Sequence, residues 1–311
     1  MVDLLVFEES LPRLSEALAH HDGLRIVCWH TDGRFSLGGQ TVDADAIEPE
    51  IGWISFDILA RGKMRKYVET LLQFDSLRWV QTGHAGLDDP LYSALAERGV
   101  RLSKSYAQSI AIAEYTLAYA LYYFQDIEFR LASQRATEWK SKRFRELYGS
   151  RWLIVGFGHI GRRVAQRARA FNCHITTLRR SGTSDPAADE VVGRAELSTT
   201  LAKSDVVVLA CPENTETTGL VDVAFVTAMK KGSLLINVAR GGHLVDDDLI
   251  EALNSEHLSG AALDVFHTEP LPEEHPFWQT ENIIITPHIA SMSNAASVSG
   301  QVAENYQRMQ N

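Results

Sequence analysis

Cysteine is scarce in this sequence of 311 residues, which contains only Cys28, Cys173 and Cys211. An odd number of cysteines without metal-site spacing argues against a disulfide framework and fits a reducing compartment. The histidines also lack the spacing of metal ligands. We therefore expect free thiols and no bound metal.

Long apolar runs are missing as well. No stretch of about 18 consecutive apolar residues, the length needed to cross a membrane, occurs in the sequence. The N-terminal MVDLLVFEES has neither the basic flank nor the apolar length of a signal peptide. These absences lead us to expect a cytoplasmic protein with no membrane partner.

Positive charge is in deficit, with 30 Lys and Arg against 40 Asp and Glu and a net charge of −10. Such a balance repels nucleic-acid phosphate, so we expect no nucleic-acid partner. A small anionic substrate would need a locally positive site. The apolar fraction of 45% and the charged fraction of 23% are ordinary for a globular protein, and the length favours two domains.

Short β-like runs alternate with helical segments in both halves, which indicates an α/β architecture with parallel sheets. The first half contains LLVFE, LRIVCWH, ISFDIL, LRWVQTG and VRLSKS. Six similar runs in the second half, from RWLIVG to NIIIT, predict a doubly wound sheet. Between the halves, SIAIAEYTLAYALYYFQDIEFRLASQR predicts one long helix, and the stretch that starts at Ser293 predicts a C-terminal helix.

A glycine motif opens the second half. Gly156, Gly158 and Gly161 follow the apolar WLIV and precede the helical RRVAQRARAF. In that context the first glycine permits a tight turn, the second lets a pyrophosphate approach the backbone, and the third lets helix and strand pack closely. The motif therefore predicts a dinucleotide site at a helix N-terminus.

The position about 20 residues after the motif distinguishes the two nicotinamide cofactors, because an acidic side chain there binds the ribose hydroxyls of NAD. This sequence has Arg179, Arg180 and Ser181 instead. A guanidinium can bind a ribose 2′-phosphate through two hydrogen bonds. We predict a preference for NADP(H), with NAD(H) as the alternative cofactor; two solvated arginines that merely cap a strand end are the other interpretation.

Three further stretches each join a strand to a turn with polar side chains: INVARGGHLVDDDLIEAL, GAALDVFHTEPLP and NIIITPHIAS. Open α/β sheets bind ligands at the carboxyl ends of their strands, which places Arg240, Glu269 and His288 near one crevice. A 2-oxo acid needs a cation for its carboxylate and a proton donor for the developing alkoxide. A nearby carboxylate would orient the imidazole and favour its charged form.

Together GFGHIG, NVARGGHLVDDDLIEAL, LDVFHTEPLP and TPHIAS resemble the D-2-hydroxyacid dehydrogenase family, which includes glyoxylate/hydroxypyruvate reductases and phosphoglycerate dehydrogenases. The resemblance implies that Arg240 binds substrate, that His288 is the acid/base and that Glu269 is its partner. The other positions that it implies are His159, Ile160, Pro212, Thr218 and Asp264 for the cofactor, and His84, Ala85 and Gly86 for the substrate.

The resemblance also implies a fold, a reaction and an assembly. The fold is a Rossmann-type doubly wound cofactor domain (residues 105–288) with a smaller flavodoxin-like α/β substrate domain (residues 1–104 and 289–311). The reaction is hydride transfer between a nicotinamide and C2 of a small 2-oxo or 2-hydroxy acid, and the assembly is a homodimer. A nucleotide-sensing binding protein similar to corepressors of this fold is the alternative function.

Overall fold

A computed structural model describes residues 1–18, 23–83, 86–87, 89–180, 183–292 and 304–306. The chain divides into two compact units: unit 1 is Met1–Gln108 with Met292–Asn311, and unit 2 is Ser109–Ser291. The domain bounds expected after residues 104 and 288 differ from this division by a few residues. The difference arises because the first helix of unit 2 begins only at Ser109, while the turn that carries His288 runs on within unit 2.

Seven strands of the described chain form the sheet of unit 1, in the order β4-β3-β2-β1-β5-β6-β7. They are β1 (Val2–Phe7), β2 (Leu24–Trp29), β3 (Phe35–Leu37), β4 (Gln40–Val42), β5 (Pro49–Ile54), β6 (Trp79–Thr82) and β7 (Arg101–Ser103). Five neighbouring strands of this sheet are parallel: β2, β1, β5, β6 and β7. Their order is the flavodoxin-like one. At one edge, β3 pairs antiparallel with both β2 and β4, which the sequence pattern did not indicate.

The helices described in unit 1 are α1 (Leu11–Leu18), α2 (Phe56–Ala60), α3 (Met64–Leu71) and α4 (Pro90–Glu97). The interpretation of ISFDIL as a strand was wrong beyond its first residue. Strand β5 ends at Ile54, and the Ser55 hydroxyl then accepts a hydrogen bond from the Ile58 N–H and caps α2.

All strands of the sheet in unit 2 are parallel, in the order β10-β9-β8-β11-β12-β13-β14. They are β8 (Arg151–Val155), β9 (His174–Leu178), β10 (Glu190–Val192), β11 (Val206–Leu209), β12 (Ser233–Asn237), β13 (Leu258–Leu263) and β14 (Ile283–Ile285). Strand β10 is an addition to the six predicted strands; its three residues are too few for a clear pattern. The order reverses between β8 and β11, which is the topological switch point where Rossmann-type folds bind dinucleotides. The predicted fold class is confirmed.

The helices described in unit 2 are α5 (Ser109–Phe124), α6 (Ile127–Arg135), α7 (His159–Ala170), α8 (Leu197–Leu201), α9 (Val223–Ala228) and α10 (Asp246–Asn254). The single long helix expected over residues 109–135 is therefore two helices. The break lies at Asp126, whose φ of 51° is in the left-handed region. The predicted C-terminal helix lies outside the described residues except for 304–306, which are helical.

The three cysteines are free thiols; Cys28 and Cys173 are buried and Cys211 is half-buried. Burial raises the pKa of Cys28 and of Cys173, and it raises the pKa of Cys211 to about 11. Within the described ranges, no helix combines the length and apolarity needed to span a bilayer. Across the same ranges, no three His, Cys, Asp or Glu side chains converge as metal ligands would.

Candidate active site

The glycine motif forms a turn between β8 and α7. Gly156 has a φ of 93°, and a Cβ there would lie 2.6 Å from the Cys211 backbone, so a side chain is excluded on both counts. A Cβ on Gly161 would lie 2.3 Å from the Gly156 carbonyl oxygen, which shows how closely helix and turn pack. A Cβ on Gly158 would have no other atom within 4 Å. The turn is thus closed on its inner side and open at Gly158.

This turn fits a dinucleotide pyrophosphate. Gly158 is the N-cap of α7 and provides no side-chain cap, while His159 and Ile160 occupy the first two helical positions. The first N–H groups of a helix have no acceptor within the helix, and the helix dipole adds positive potential at that end. An anionic pyrophosphate would satisfy these donors beside the open face of Gly158.

The two predicted cofactor arginines follow β9 directly, and β9 is the parallel neighbour of β8. The N–H of Gly156 donates to the Leu178 carbonyl at 3.3 Å, so Arg179 begins beside the glycine turn. Nη1 of Arg179 lies 3.3 Å from the Thr183 carbonyl oxygen and 3.5 Å from Asp185 Oδ2. Arg180 is 81% exposed, with Nη1 at 3.7 Å from Glu216 Oε2. Ser181 lies outside the described residues.

The loop after β11 carries Pro212 and Thr218. Pro212 follows Cys211, whose backbone packs against Gly156, and so lies next to the glycine turn. The Thr218 hydroxyl donates to the Asn214 carbonyl at 2.9 Å. Thr218 thus holds its own loop together, and the predicted cofactor contacts of both residues stay predictions.

His243, which the sequence interpretation did not single out, braces this loop. The ring is fully buried, with Nδ1 at 3.0 Å from the Thr217 carbonyl oxygen and Nε2 at 3.1 Å from the Cys211 carbonyl oxygen. The Cys211 Sγ atom lies 3.6 Å from the same Nε2. His243 therefore ties the loop after β11 to the turn after β12.

Strand register brings the predicted catalytic segments to one edge of the sheet. Asn237 of β12 pairs with Leu263 of β13, and Leu263 pairs with Ile285 of β14. These are the last residues of their strands, and each strand leads directly into a turn. Arg240 follows the first strand by three residues, Asp264 directly follows the second, and the turn with His288 follows the third.

His288 and Glu269 form a pair. Nδ1 of His288 lies 2.8 Å from Glu269 Oε2, while Oε1 of Glu269 accepts a hydrogen bond from the Phe266 N–H at 3.0 Å. The backbone contact fixes the carboxylate, and the carboxylate in turn orients the ring. Within the described part of the chain Nε2 makes no hydrogen bond, and the His288 side chain is 46% exposed. The pair can therefore present one ring nitrogen to a bound molecule.

Asp264 holds the backbone around His288. Its Oδ1 accepts from the Thr286 hydroxyl at 2.6 Å and from the Ile289 N–H at 2.9 Å, and its Oδ2 accepts from the Ala290 N–H at 2.9 Å. Burial raises the pKa of this carboxyl, and these hydrogen bonds oppose the rise only in part. The contact with the nicotinamide carboxamide, implied by the resemblance, stays a prediction.

A tyrosine from α5 completes this network. Tyr115 Oη lies 2.7 Å from Thr286 Oγ1. When Asp264 is ionised it only accepts, so the Thr286 hydroxyl must donate to Asp264 and accept from Tyr115. No local motif marks Tyr115, and its helical spacing indicated only a packed face.

Arg240 belongs to a separately fixed turn. The buried Asn237 amide accepts from the Ala239 N–H at 3.0 Å and donates to the Arg240 carbonyl at 2.9 Å. A Cβ on Gly241 would lie 1.9 Å from the Phe266 carbonyl carbon, so only glycine lets this turn pack on the segment that leads to Glu269. Arg240 thus precedes a glycine that packs on Phe266 and His267, and its role in substrate binding stays a prediction.

The predicted substrate loop lies in unit 1. His84 and Ala85 are outside the described residues, and Gly86 is in irregular backbone after β6. Their role in substrate binding stays a prediction.

The comparisons with known proteins agree on one family. Residues 117–290 match the model of the D-isomer specific 2-hydroxyacid dehydrogenase, NAD binding domain. Over 192 residues the chain is 34% identical to glyoxylate/hydroxypyruvate reductase A of Serratia proteamaculans, and the match covers 62% of this chain. The matched region spans only 61% of the length of that reductase.

Two solved structures resemble nearly the whole chain. A D-isomer specific 2-hydroxyacid dehydrogenase family protein from Aeromonas salmonicida has 28% identity and a TM-score of 0.76, over 99% of this chain and 94% of that one. A D-isomer specific 2-hydroxyacid dehydrogenase from Xanthobacter autotrophicus, in complex with NADPH and MES, has 25% identity and a TM-score of 0.78 over the same shares. Because the family model matches more than half of the chain, this protein belongs to the D-isomer specific 2-hydroxyacid dehydrogenase family.

Proposed function

We propose that this protein is an NADP(H)-preferring reductase that converts a small 2-oxo acid, such as glyoxylate or hydroxypyruvate, into the 2-hydroxy acid. The observation that carries the proposal is the 2.8 Å contact between His288 Nδ1 and Glu269 Oε2 at the carboxyl edge of a doubly wound sheet. The similar reductase from Serratia proteamaculans, named for glyoxylate and hydroxypyruvate, supports the substrate class.

In this mechanism His288 is the acid. Nε2 donates its proton to the carbonyl oxygen of the 2-oxo acid as charge develops there, which leaves a neutral ring. Glu269 stabilises the charged ring beforehand and keeps Nδ1 protonated throughout. The exposed edge of the ring then takes a new proton from water.

Arg240 holds the substrate by pairing its guanidinium with the carboxylate and polarising the carbonyl oxygen. The nicotinamide, when bound, supplies the hydride to C2. Its dinucleotide is held by the glycine turn, the first residues of α7, the loop with Pro212 and Thr218, and Asp264. The residues of unit 1 expected to bind the substrate carboxylate are His84, Ala85 and Gly86.

The preference for NADP(H) is supported by charge at the end of β9. Arg179 stands where an NAD-binding protein has an acid, and Arg180 beside it is mostly exposed. A 2′-phosphate adds charge-assisted hydrogen bonds to such groups. The NADPH complex of the Xanthobacter autotrophicus relative also supports this assignment, with NAD(H) as the alternative.

The proposed form is a cytoplasmic homodimer. Its free cysteines are consistent with a reducing compartment. Large apolar side chains are exposed in and after α6, with Trp139 fully exposed and Tyr148 exposed by 71%. Such a group is typical of a protein interface, and a second copy of this chain is the proposed occupant. Light scattering on the wild type and on Trp139→Ala tests this assembly.

The activity is tested on the purified full chain by following the absorbance of reduced cofactor. Glyoxylate, hydroxypyruvate, pyruvate and phenylpyruvate are each assayed with NADPH and with NADH. We expect turnover of at least one substrate and a kcat/KM about tenfold or more higher with NADPH, the usual effect of one charged hydrogen-bonded contact. Higher efficiency with NADH would contradict the cofactor assignment, and no turnover of any 2-oxo acid would contradict the reaction.

A further inference from the structure

Two arginines from different elements meet at one carboxylate near the end of β9. Oδ2 of Asp185 accepts from Arg162 Nε at 2.9 Å and lies 2.8 Å from Arg162 Nη2. The same oxygen lies 3.5 Å from Arg179 Nη1. The other oxygen, Oδ1, accepts from the Ala187 N–H at 3.2 Å. Asp185 is therefore anchored to its own loop while it joins α7 to the end of β9.

The Asp185 carboxylate is buried from solvent, whereas the two arginines that contact it are partly exposed. The Asp185 side chain is 8% exposed, whereas Arg162 is 42% exposed and Arg179 is 23% exposed. Burial alone would raise the pKa of Asp185, but the hydrogen bonds from Arg162 and Ala187 and the two positive charges lower it overall. Asp185 thus stays ionised beneath a cationic surface.

Both guanidiniums keep donors for a ligand. Arg162 uses Nε and Nη2 on Asp185, and Arg179 uses Nη1 on the 183–185 segment. In the part of the chain that is described, Arg162 Nη1 and Arg179 Nε and Nη2 make no hydrogen bond. Arg162 also lies over the Phe157 ring, 5.9 Å from its centroid, which restricts the movement of the guanidinium.

The position of this group relates it to the dinucleotide turn. Arg162 lies one residue after Gly161 in α7, and Arg179 follows Leu178, which bonds to Gly156. Two guanidiniums this close repel each other, and the carboxylate between them offsets that repulsion. A ligand that binds them therefore meets a pair of cations already in place, which lowers the cost of ordering them.

We infer that Asp185 is a positioning residue that holds Arg162 and Arg179 together as a two-arginine receptor for the 2′-phosphate of an adenine ribose. The inference rests on the proposed function and specifies how its cofactor is selected. It assigns a contact to Arg162, which follows the glycine motif and carries no signal of its own in the sequence.

Equilibrium binding to the full chain tests the inference without turnover. NADP+, NAD+, 2′,5′-ADP and 5′-ADP are titrated by calorimetry into the wild type, Asp185→Asn and Arg162→Gln. Asn keeps the shape and an acceptor for the Ala187 N–H but removes the charge. We expect both variants to bind NADP+ and 2′,5′-ADP about tenfold more weakly, as for loss of a charge-assisted contact. Binding of NAD+ and 5′-ADP should change less than about twofold.

Asp189→Asn is the matched control. Asp189 lies in the same loop and faces Arg169 near the other end of α7, at 3.3 Å, so its variant should keep the affinity for 2′,5′-ADP. If Asp185→Asn binds NADP+ as well as the wild type does, or more tightly, the inference is overturned while the cofactor assignment stands. A wild type that binds NADP+ no better than NAD+ contradicts the assignment itself. If Asp185→Asn does not fold, Arg162→Gln decides, because an unchanged NADP+ affinity there overturns the receptor.

Discussion

The Thr286 hydroxyl donates a 2.6 Å hydrogen bond to Asp264 Oδ1, across the ends of two neighbouring strands. The turn that follows contains His288, whose φ of 53° is unusual for a residue with a side chain. Such a conformation is costly and persists only when its surroundings fix it. Asp264 fixes it here, because Thr286 before the histidine and the two residues after it all donate to this carboxylate.

Thr286→Val should lower kcat several-fold and reduce the free energy of unfolding by about 1–3 kcal/mol. The reason is that the Tyr115 hydroxyl loses its acceptor and Asp264 loses a donor in a buried site. Steady-state kinetics and urea unfolding measure the two effects. Thr286→Ser keeps the hydroxyl and is the control; equal losses in both variants would show that packing, and not the hydrogen bond, is what matters.

His288→Gln should reduce kcat by about 100-fold or more, the usual contribution of a positioned general acid. Gln fills a similar volume but supplies no proton at neutral pH. Cofactor affinity, measured by fluorescence titration, should stay close to that of the wild type. His174→Gln is the control, because His174 begins β9 at the opposite end of that strand from the site. Near-normal turnover by His288→Gln would rule out the proposed acid.

Glu269→Gln should move the pH dependence of 2-oxo acid reduction toward acid. Reduction needs the charged ring, and the variant removes the carboxylate that lies 2.8 Å from Nδ1. The fall in kcat/KM with rising pH should therefore begin at a lower pH than in the wild type. Glu273→Gln, an exposed position in the same segment, is the control. Superimposable profiles of Glu269→Gln and wild type would refute the coupling of the pair.

Asp3→Asn should destabilise unit 1 at neutral pH and much less in acid. The buried Asp3 carboxylate contacts Arg25 at 2.5 and 2.6 Å and accepts from the Glu48 N–H at 2.9 Å. Burial would raise the pKa of Asp3, but these contacts outweigh it and the pKa is lowered. Its stabilisation is thus present above the unfolded-state pKa, about 3.9, and is lost as pH falls through the lower folded-state pKa.

Urea unfolding of Asp3→Asn at pH 7 should show a loss of about 2 kcal/mol relative to the wild type, as expected for hydrogen bonds to a charged group. The difference should shrink when the measurement is repeated near pH 3. Asp32→Asn is the control, because Asp32 pairs with Arg34 on the surface and should leave the urea midpoint unchanged. An equal difference in the free energy of unfolding between Asp3→Asn and the wild type at pH 7 and near pH 3 would contradict the predicted dependence on the ionisation of Asp3.

The sequence predicted the features that depend on neighbours in the chain. The glycine turn follows from residue spacing between a strand and a helix, and the strand ends placed His288 and Glu269 at one edge of the sheet. The fold class and the family were confirmed, whereas the roles of these residues in catalysis stay predictions.

Long-range contacts were beyond the sequence pattern. Tyr115 and Thr286 are separated by 171 positions, and nothing local relates them. The contact of Asp185 with Arg162 likewise depends on how the loop before β10 returns to α7. The break at Asp126 was also missed, since an aspartate in a helical pattern gives no sign of a left-handed backbone.

The raised pKa of each native thiol affects how this protein can be labelled. With a pKa of about 11, Cys211 is almost entirely protonated at neutral pH, and Cys28 and Cys173 are buried as well. Maleimides and other alkylating reagents attack the thiolate. A cysteine introduced on the surface would therefore react first, so a fluorophore or spin label could be attached without first removing the three native cysteines.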